Sequence, residues 1–242
     1  MKTLLVILFL SSIARARVFD MSETRFGGYF SATYGASSVG KKFFEGESSA
    51  DSYTKGFDTH MGGEFGFVYN TDHLSWLFGL EIIKPSKIKG IASASGTAVY
   101  SYTSDISAYI PKAGVEVVFY QAKTYRIFGQ AYFGTGDLTV KTDYSNLTIA
   151  PNTDFSIEGK STANLMNYSL GTEFHWNDNT TIVLAYSYRQ LNFRNIKYLA
   201  DVTNSFTGAA SKGDRIMKSD GSPLKYDFTN TYITLGLRFW VQ

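Results

Sequence analysis

Apolar and polar side chains alternate along most of this chain, and this period of two constrains the fold more than any other feature. The alternation recurs in eight segments after the first 24 residues, and in a β-strand it gives the two faces different chemistry. In residues 166–176, for example, Tyr168 and Leu170 share one face, whereas Ser169 and Glu173 share the other. No apolar run reaches the roughly 20 residues of a membrane-spanning helix, and no segment has a helical period. The sequence therefore predicts an all-β protein.

The connections between the eight segments alternate in length. Short connections of three or four residues occur at 70–73, 121–124 and 177–179. Long connections are predicted near residues 35–56, 84–105, 141–161 and 194–225. Short turns on one side and long loops on the other are typical of a transmembrane β-barrel, and segments of about 9–14 residues suit a tilted crossing of the bilayer. We therefore predict an eight-stranded antiparallel up-and-down transmembrane β-barrel with short periplasmic turns and long extracellular loops.

Charged residues on the polar face of these segments balance in sign. Four are acids and four are arginines, namely Arg25, Glu64, Glu81, Glu116, Arg126, Glu173, Arg189 and Arg238. Because an unpaired buried charge is very costly, balanced charges fit a narrow lumen in which each ion finds a counterion. The polar face also has too few large apolar residues to fill a dry core. These features favour a lumen charge network, although a soluble sandwich with the eight charges on its solvated outer face stays an alternative.

Aromatic residues stand beside the short turns on the apolar face, at Tyr69, Trp76, Tyr125 and Trp176. Amphipathic rings at this level form the aromatic girdle of a membrane barrel. We predict that these four residues mark one membrane interface, with chance placement near strand ends as the alternative. Trp240 has the parity of the polar face, so it is predicted to lie at the rim instead.

The N-terminal residues have the pattern of a secretory signal peptide. Lys2 precedes an apolar run at residues 4–10, and residues 14–16 read Ala-Arg-Ala, which is a small-x-small cleavage pattern. We predict a signal peptide over residues 1–16 and an outer-membrane β-barrel domain over residues 17–242, with a membrane anchor or a buried first element as the alternative for the first segment. Cleavage lowers the Lys+Arg count from 23 to 21, equal to the 21 Asp+Glu. The mature chain is then formally neutral, and no nucleic acid is expected as a partner.

The C-terminal segment carries an expected assembly signal. Thr234, Gly236, Phe239 and Val241 give the pattern polar-x-Gly-x-x-aromatic-x-hydrophobic, which is similar to the signal by which bacterial outer-membrane barrels are recognised for assembly. Here Val241 replaces the usual final aromatic residue. Together with the leader and the eight strands, this pattern resembles the small outer-membrane β-barrel family that includes outer membrane proteins A and X. The resemblance implies the cell outer membrane of a Gram-negative bacterium, with outer-membrane lipid, lipopolysaccharide and the assembly machinery as partners.

The long connections are the expected binding surface, because binding residues usually lie on loops held by a rigid scaffold. Two of them carry a basic loop rim that suits lipopolysaccharide phosphates or a polyanionic host surface, formed by Lys84, Lys87, Lys89, Arg194, Lys197, Lys212, Arg215 and Lys218. A solvated rim without a ligand is the alternative. A host or environmental surface ligand is therefore a further candidate partner.

Three hypotheses about function remain. We expect a non-enzymatic surface barrel with a structural, adhesive or antigenic role and a plugged lumen, because eight strands leave an interior that side chains just fill. No catalytic residue, cofactor or metal is expected, and the absence of Cys excludes a Cys-ligated metal site. The first alternative is a small porin-type channel for ions or small solutes. The second is an outer-membrane enzyme acting on lipid or peptide, for which only His60, His73 and His175 offer a histidine base.

Overall fold

The structure is a computed structural model that describes residues 25–36, 50–53, 59–71, 73–85, 87–94, 97–122, 124–146, 154–177, 179–204, 208–218 and 221–241. The described strands are β1 Arg25–Ala36, β2 Ala50–Tyr53, β3 Thr59–Thr71, β4 Leu74–Ile83, β5 Ile88–Ala94, β6 Thr97–Gln121, β7 Tyr125–Asn146, β8 Phe155–Asn177, β9 Thr180–Phe193, β10 Lys197–Tyr198, β11 Val202–Asn204, β12 Gly208–Ala210, β13 Tyr226–Asp227 and β14 Asn230–Val241. Within these residues there is no helix long and apolar enough to cross a bilayer. The predicted signal peptide at 1–16 lies outside the described residues.

Eight of the strands form a closed antiparallel ring. Its order is β8-β7-β6-β4-β3-β1-β14-β9, and a further pairing of β9 with β8 completes the ring. β1 and β14, the first and last ring strands in chain order, pair from Phe26↔Val241 to Gly35↔Tyr232. Where all eight described strands pair, closure leaves no open sheet edge, so their N–H and C=O groups find partners within the ring. The predicted all-β, eight-stranded, up-and-down barrel is therefore confirmed.

One end of the barrel carries the short connections. β3 ends at Thr71 and β4 begins at Leu74, β6 and β7 meet at residues 121–125, and β8 and β9 meet at residues 177–180. The first residues of β1 and the last residues of β14 lie at this end too. We call it the turn end, and the opposite end the far end.

Three adjacent strands are much longer than the rest. β6, β7 and β8 have 25, 22 and 23 residues, whereas β4 has 10 and β9 has 14. The prediction of segments of at most 14 residues is therefore wrong for these three strands, which we call the tall wall. The predicted loop 84–105 instead contains β5 and the start of β6, and most of the predicted loop 141–161 belongs to β7 and β8.

Part-way along the tall strands, the apolar residues change from the outer face of the barrel to the inner face. On β7, Phe133 points outward and is 55% exposed, whereas Leu138 and Val140 have the opposite parity and are buried inside the wall. Asp137 and Lys141 are exposed on the outside. Beyond the predicted segment, the parity that was polar turns apolar, and there it fills a dry core.

The position of this exchange agrees between neighbouring strands. Phe133 of β7 pairs with Met166 of β8, and both are exposed apolar residues. The next outward residues toward the far end are Thr135 and Asn164, which are also paired and are polar and exposed. Exposed apolar residues thus form a belt whose far edge is at one level on β7 and β8, and we call it the lipid belt. On β8 the belt runs from Met166 to Trp176, about 33 Å along the strand and about 25 Å tall at a tilt near 40°.

An apolar core fills the barrel between the lipid belt and the far end. Eighteen buried residues form this upper core: Ile83, Ile88, Tyr100, Tyr102, Ile106, Ala108, Ile110, Leu138, Val140, Ile157, Leu165, Leu191, Phe193, Ile196, Tyr198, Ile216, Tyr226 and Phe228. The last five come from the predicted loop 194–225 and its border with β14, and the rings of Phe193 and Phe228 meet edge-on with centroids 6.0 Å apart. This segment therefore folds inward and packs against the tall wall, because this packing removes its apolar residues from water.

Candidate functional site: the occluded lumen and its charged residues

Four charged side chains form a neutral cluster in the lumen near the turn end. Arg126 Nη2 lies 3.0 Å from Glu116 Oε1 and 2.5 Å from Glu173 Oε2. Arg238 binds the same two acids, with Nη2 2.5 Å from Glu116 Oε2 and Nη1 2.9 Å from Glu173 Oε2. All four side chains are almost fully buried. We call them the lower cluster, in which two acids and two bases cancel.

Uncharged neighbours occupy further hydrogen-bonding positions of the lower cluster. Gln130 Nε2 donates to Glu116 Oε2 at 2.8 Å, and the Thr181 hydroxyl donates to Glu173. Trp240, which the sequence placed at the rim, is instead 4% exposed inside the lumen, and its Nε1 donates to Thr181 Oγ1 at 3.2 Å. Buried ion pairs stabilise a protein only when such secondary bonds are made.

A second neutral cluster lies farther from the turn end. Lys112 Nζ lies 2.8 Å from Glu64 Oε2 and 3.0 Å from Glu81 Oε2. Arg189 Nη1 lies 2.5 Å from Glu81 Oε1, and Arg189 Nη2 is 2.7 Å from Nε2 of His60. These charges again balance two against two, and we call Glu64, Glu81, Lys112 and Arg189 the upper cluster.

Lys112 is the buried cation that the sequence analysis missed. The alternation recognised in the fourth segment starts at Ala113, one residue after Lys112, although Lys112 has the parity of Glu116 on the same strand. Extending the alternation by one residue would have found it. Arg25, by contrast, is half-buried at the first residue of β1 and pairs across the strands with Asn70 at the turn end. The structure thus brings seven of the eight predicted charges, together with Lys112, into the two clusters.

Aromatic side chains surround the upper cluster. The Tyr29 hydroxyl donates to Glu64 Oε1 at 2.7 Å. Lys112 Nζ lies 4.5 Å from the ring centroid of Tyr132, and the Arg189 guanidinium carbon lies 5.0 Å from that of Tyr232. Rings at these distances attract a cation through their negative faces.

A small cavity separates the two clusters. It has a volume of about 30 Å³, and its lining includes Tyr29, Lys112, Asn167 and Arg238. A space of this size holds one or two waters and no larger solute. From the turn end, the lumen therefore meets the lower cluster, this cavity, the upper cluster and the upper core in succession.

The predicted girdle residues face outward beside the short turns. Tyr69, Trp76 and Trp176 are 44%, 45% and 45% exposed, and Tyr125 is partly exposed. Tyr120, which the sequence pattern did not assign to the girdle, is exposed, and its ring centroid lies 5.9 Å from that of Tyr125. The backbone register shifts between Val118 and Tyr120, which removes Tyr120 from the simple alternation.

The predicted basic rim is divided between several strands and is not one loop surface. Exposed positions are Lys84, Lys87, Lys89, Arg194, Lys197, Lys212 and Arg215. Lys87 pairs with Asp105 at 3.2 Å. Lys218 is only 8% exposed, because it shares the inward face of its segment with Ile216. Its inclusion in an exposed rim is therefore wrong.

The residues of the predicted assembly signal all lie on β14. Phe239 and Val241 are exposed on the lipid belt. Gly236 faces the lumen side where β1 and β14 close the ring, and a Cβ there would stand 2.8 Å from the Cβ of Ser31. A larger residue at Gly236 would therefore push apart the two strands that close the barrel.

The structure does not bring the three histidines together. His60 is 1% exposed beside the upper cluster, whereas His175 lies at the turn end with Nδ1 3.2 Å from the carbonyl oxygen of Asn177. His73 is exposed in the connection between β3 and β4. Among the described residues, no group of three or more His, Asp and Glu is placed to hold a metal ion.

No protein-family model matches this chain, and a comparison with curated proteins finds no match. Among solved structures, the chain is similar to Neisserial surface protein A, with 10% identity, a TM-score of 0.44, and 89% of this chain and 96% of that one covered. OprG from Pseudomonas aeruginosa gives 10% identity, a TM-score of 0.45 and coverage of 90% and 95%. Ail of Yersinia pestis, solved with the heparin analogue sucrose octasulfate, gives 11%, 0.42, and 90% and 99%.

The closed ring of eight strands, with apolar residues outside and paired ions inside, is itself the architecture of a small outer-membrane barrel. The resemblance that the sequence indicates is therefore confirmed at the level of the fold.

Proposed function

We propose that this chain is a non-enzymatic outer-membrane surface barrel with a closed lumen, and that its binding surface lies on the wall beyond the lipid belt. The filling of the lumen at three successive levels carries the proposal. Transport of a polar solute needs a continuous polar path, and Ile106, Leu138 and Phe193 of the upper core stand in that path. The outer membrane of a Gram-negative bacterium suits this architecture, with residues 1–16 as the cleaved signal peptide.

The tall wall supports a role at the cell surface. β7 continues for 12 residues after Gly134, to Asn146, which is about 40 Å along the strand and about 30 Å of height. Its outer face is polar and exposed there, at Asp137, Thr139 and Lys141. A rigid polar surface of this height suits contact with lipopolysaccharide or with a ligand outside the cell. The assembly machinery is the proposed reader of the β14 signal.

The positions of the histidines support a non-enzymatic role. A general base must come within hydrogen-bonding reach of its substrate, directly or through one water. His60 is buried, and its Nε2 lies 2.7 Å from a nitrogen of Arg189. In the part of the chain that the structure describes, the upper core fills the path by which a lipid or peptide would reach this ring.

Conductance in planar bilayers tests the closed lumen. The folded full-length protein should give no stable conductance above the baseline, because its three lumen levels act in series. A 16-stranded porin, reconstituted in parallel, controls for the bilayer, and protease protection of the inserted chain confirms incorporation. A large, stable, nonselective conductance from the incorporated protein would contradict the proposal and favour a channel.

A further inference from the structure

Strand pairing on the tall wall brings together three cations that are distant in sequence. Lys197 of β10 pairs directly with Lys160 of β8, and on its other side it forms an isolated bridge with Arg215. All three residues are exposed, whereas Tyr198 and Ile216 beside them are buried. We call Lys160, Lys197 and Arg215 the basic row. It runs across the strands on the outside of the barrel.

This arrangement is unfavourable for the isolated protein. Side chains directly opposite on paired strands have Cβ atoms about 4.5–5.5 Å apart, and like charges at that distance repel. Among the described residues, no carboxylate forms an ion pair with any member of the row. Two carboxylates lie near Lys160 on the same outer face, namely Glu158 two residues along β8 and Asp137 diagonally across on β7. Glu158 lies 3.7 Å from Lys141 instead.

The height of the basic row indicates which anion it meets. Lys160 is six residues beyond Met166, where the lipid belt ends, so the row stands about 15 Å above the hydrocarbon edge. The outward residues between them on β8 are the uncharged Thr162 and Asn164. The row faces sideways from the wall, toward the molecules that surround the barrel in its own leaflet, and not toward the tip.

We propose that the basic row binds phosphate groups of the glycolipid that surrounds the barrel in the outer leaflet. The inference rests on the proposed function, since it requires the lipid belt to lie in an outer membrane. Three cations spaced across about 10 Å suit several phosphates on one carbohydrate headgroup better than a single small anion. Bound phosphate also removes the repulsion between the three cations.

The test measures lipopolysaccharide binding to the folded full-length protein in detergent. The variant K160Q/K197Q/R215Q is compared with K84Q/K87Q/K89Q, which removes the same charge from exposed rim lysines that β6 and β7 separate from the row, so that the pair of variants distinguishes the row from the basic rim as a whole. We expect the row variant to bind at least tenfold more weakly, since each cation near an anionic surface contributes about fivefold, and the control variant to change binding less than twofold. Chemically dephosphorylated lipopolysaccharide should bind both variants and the wild type alike.

Three results would overturn the proposal: equal binding by the row variant and the wild type, equal losses in the two variants, or full displacement of lipopolysaccharide by low-millimolar inorganic phosphate. The last result would assign the row to free phosphate. The row variant should unfold in urea at the same or a higher concentration than the wild type, because it removes repulsion. Conductance is measured separately, so an open pore with row-dependent binding would reject the closed lumen and leave this inference standing.

Discussion

Lys112 stands between two buried glutamates, so its charge is the single most consequential one in the upper cluster. Replacing it by Met keeps much of its volume but leaves Glu64 without its cation and Glu81 with Arg189 alone. Removing one partner of a buried ion pair costs about 3–5 kcal/mol. We expect Lys112→Met to lower the free energy of unfolding by about that amount in urea titrations of the refolded protein.

A compensating substitution separates charge from packing at this site. Adding Glu64→Gln to Lys112→Met restores the balance of one acid and one base in the upper cluster, and it should recover part of the lost stability. Lys84→Met, at an exposed position, should change the free energy of unfolding by less than about 0.5 kcal/mol. Equal destabilisation by Lys112→Met with and without the compensating change would show that packing, not charge, is responsible.

The sequence predicts which residues enter the lumen better than it predicts their partners. Glu116, Arg126 and Arg238 share one parity on three strands, so the alternation alone assigns them to the inside. Which acid meets which base depends on the stagger between strands, and periodicity contains no information about stagger. Glu81 and Arg189, 108 positions apart in sequence, bond at 2.5 Å, and no local pattern indicates this contact.

The lipid belt predicts how much an outward-facing arginine destabilises the protein at different positions along β8. Leu170 and Thr162 both point outward from β8, but Leu170 is near the middle of the belt and Thr162 is beyond its edge. An arginine on the lipid face costs about 2–4 kcal/mol at the bilayer midplane and about 0–1 kcal/mol near the interface. We expect Leu170→Arg to destabilise the protein in lipid vesicles by the larger amount and Thr162→Arg by the smaller.

Reversible folding in vesicles measures both variants on the same scale. The matched pair controls for strand, side-chain direction and the residue introduced, so only depth in the membrane differs. Similar losses for the two variants would mean that the belt edge at Met166 is misplaced, or that the outer face of β8 does not meet lipid.

Strand length was the property of the elements that the sequence did not reveal. On β6 the predicted segment began at Ala113, whereas the strand begins at Thr97. From Phe119 to Tyr109 the outward residues of β6 are apolar, whereas from Ile110 toward Thr97 the inward residues, such as Ile106, are apolar and belong to the upper core. A change of solvent along one strand shifts the apolar parity by one position, so an alternation followed with a fixed parity stops there. The same shift of the apolar parity occurs on β7 beyond Phe133, so the alternation did not reveal that part of the strand.

The whole molecule therefore combines two opposite arrangements in one continuous wall. Within the lipid belt, apolar residues face outward and the neutral clusters fill the inside. Beyond it, polar residues face water and the upper core fills the inside, as in an ordinary soluble protein. Each half follows from the solvent that surrounds it. The exchange between the halves fixes how deep the barrel sits in the membrane.

Assembly of this molecule in cells should depend on Phe239 more than the stability of the folded barrel does. Phe239 and Leu235 are both exposed on the lipid face of β14, at 49% and 58%, but only Phe239 belongs to the proposed assembly signal. We expect Phe239→Ser to reduce insertion into the outer membrane several-fold in cells, and Leu235→Ser to leave it nearly unchanged. Both variants should refold in detergent to a similar extent, because each loses a comparable apolar contact with lipid.

Heat-modifiable migration in gels reports the folded fraction in both settings, since a closed barrel stays compact until it is heated. If the two variants lose insertion equally in cells, Phe239 acts through its lipid contact alone and β14 carries no residue-specific signal. If Phe239→Ser also fails to refold in detergent, its role is in closing the ring, where it pairs with Gly28 of β1. Only a loss confined to cells and to Phe239 supports recognition by the assembly machinery.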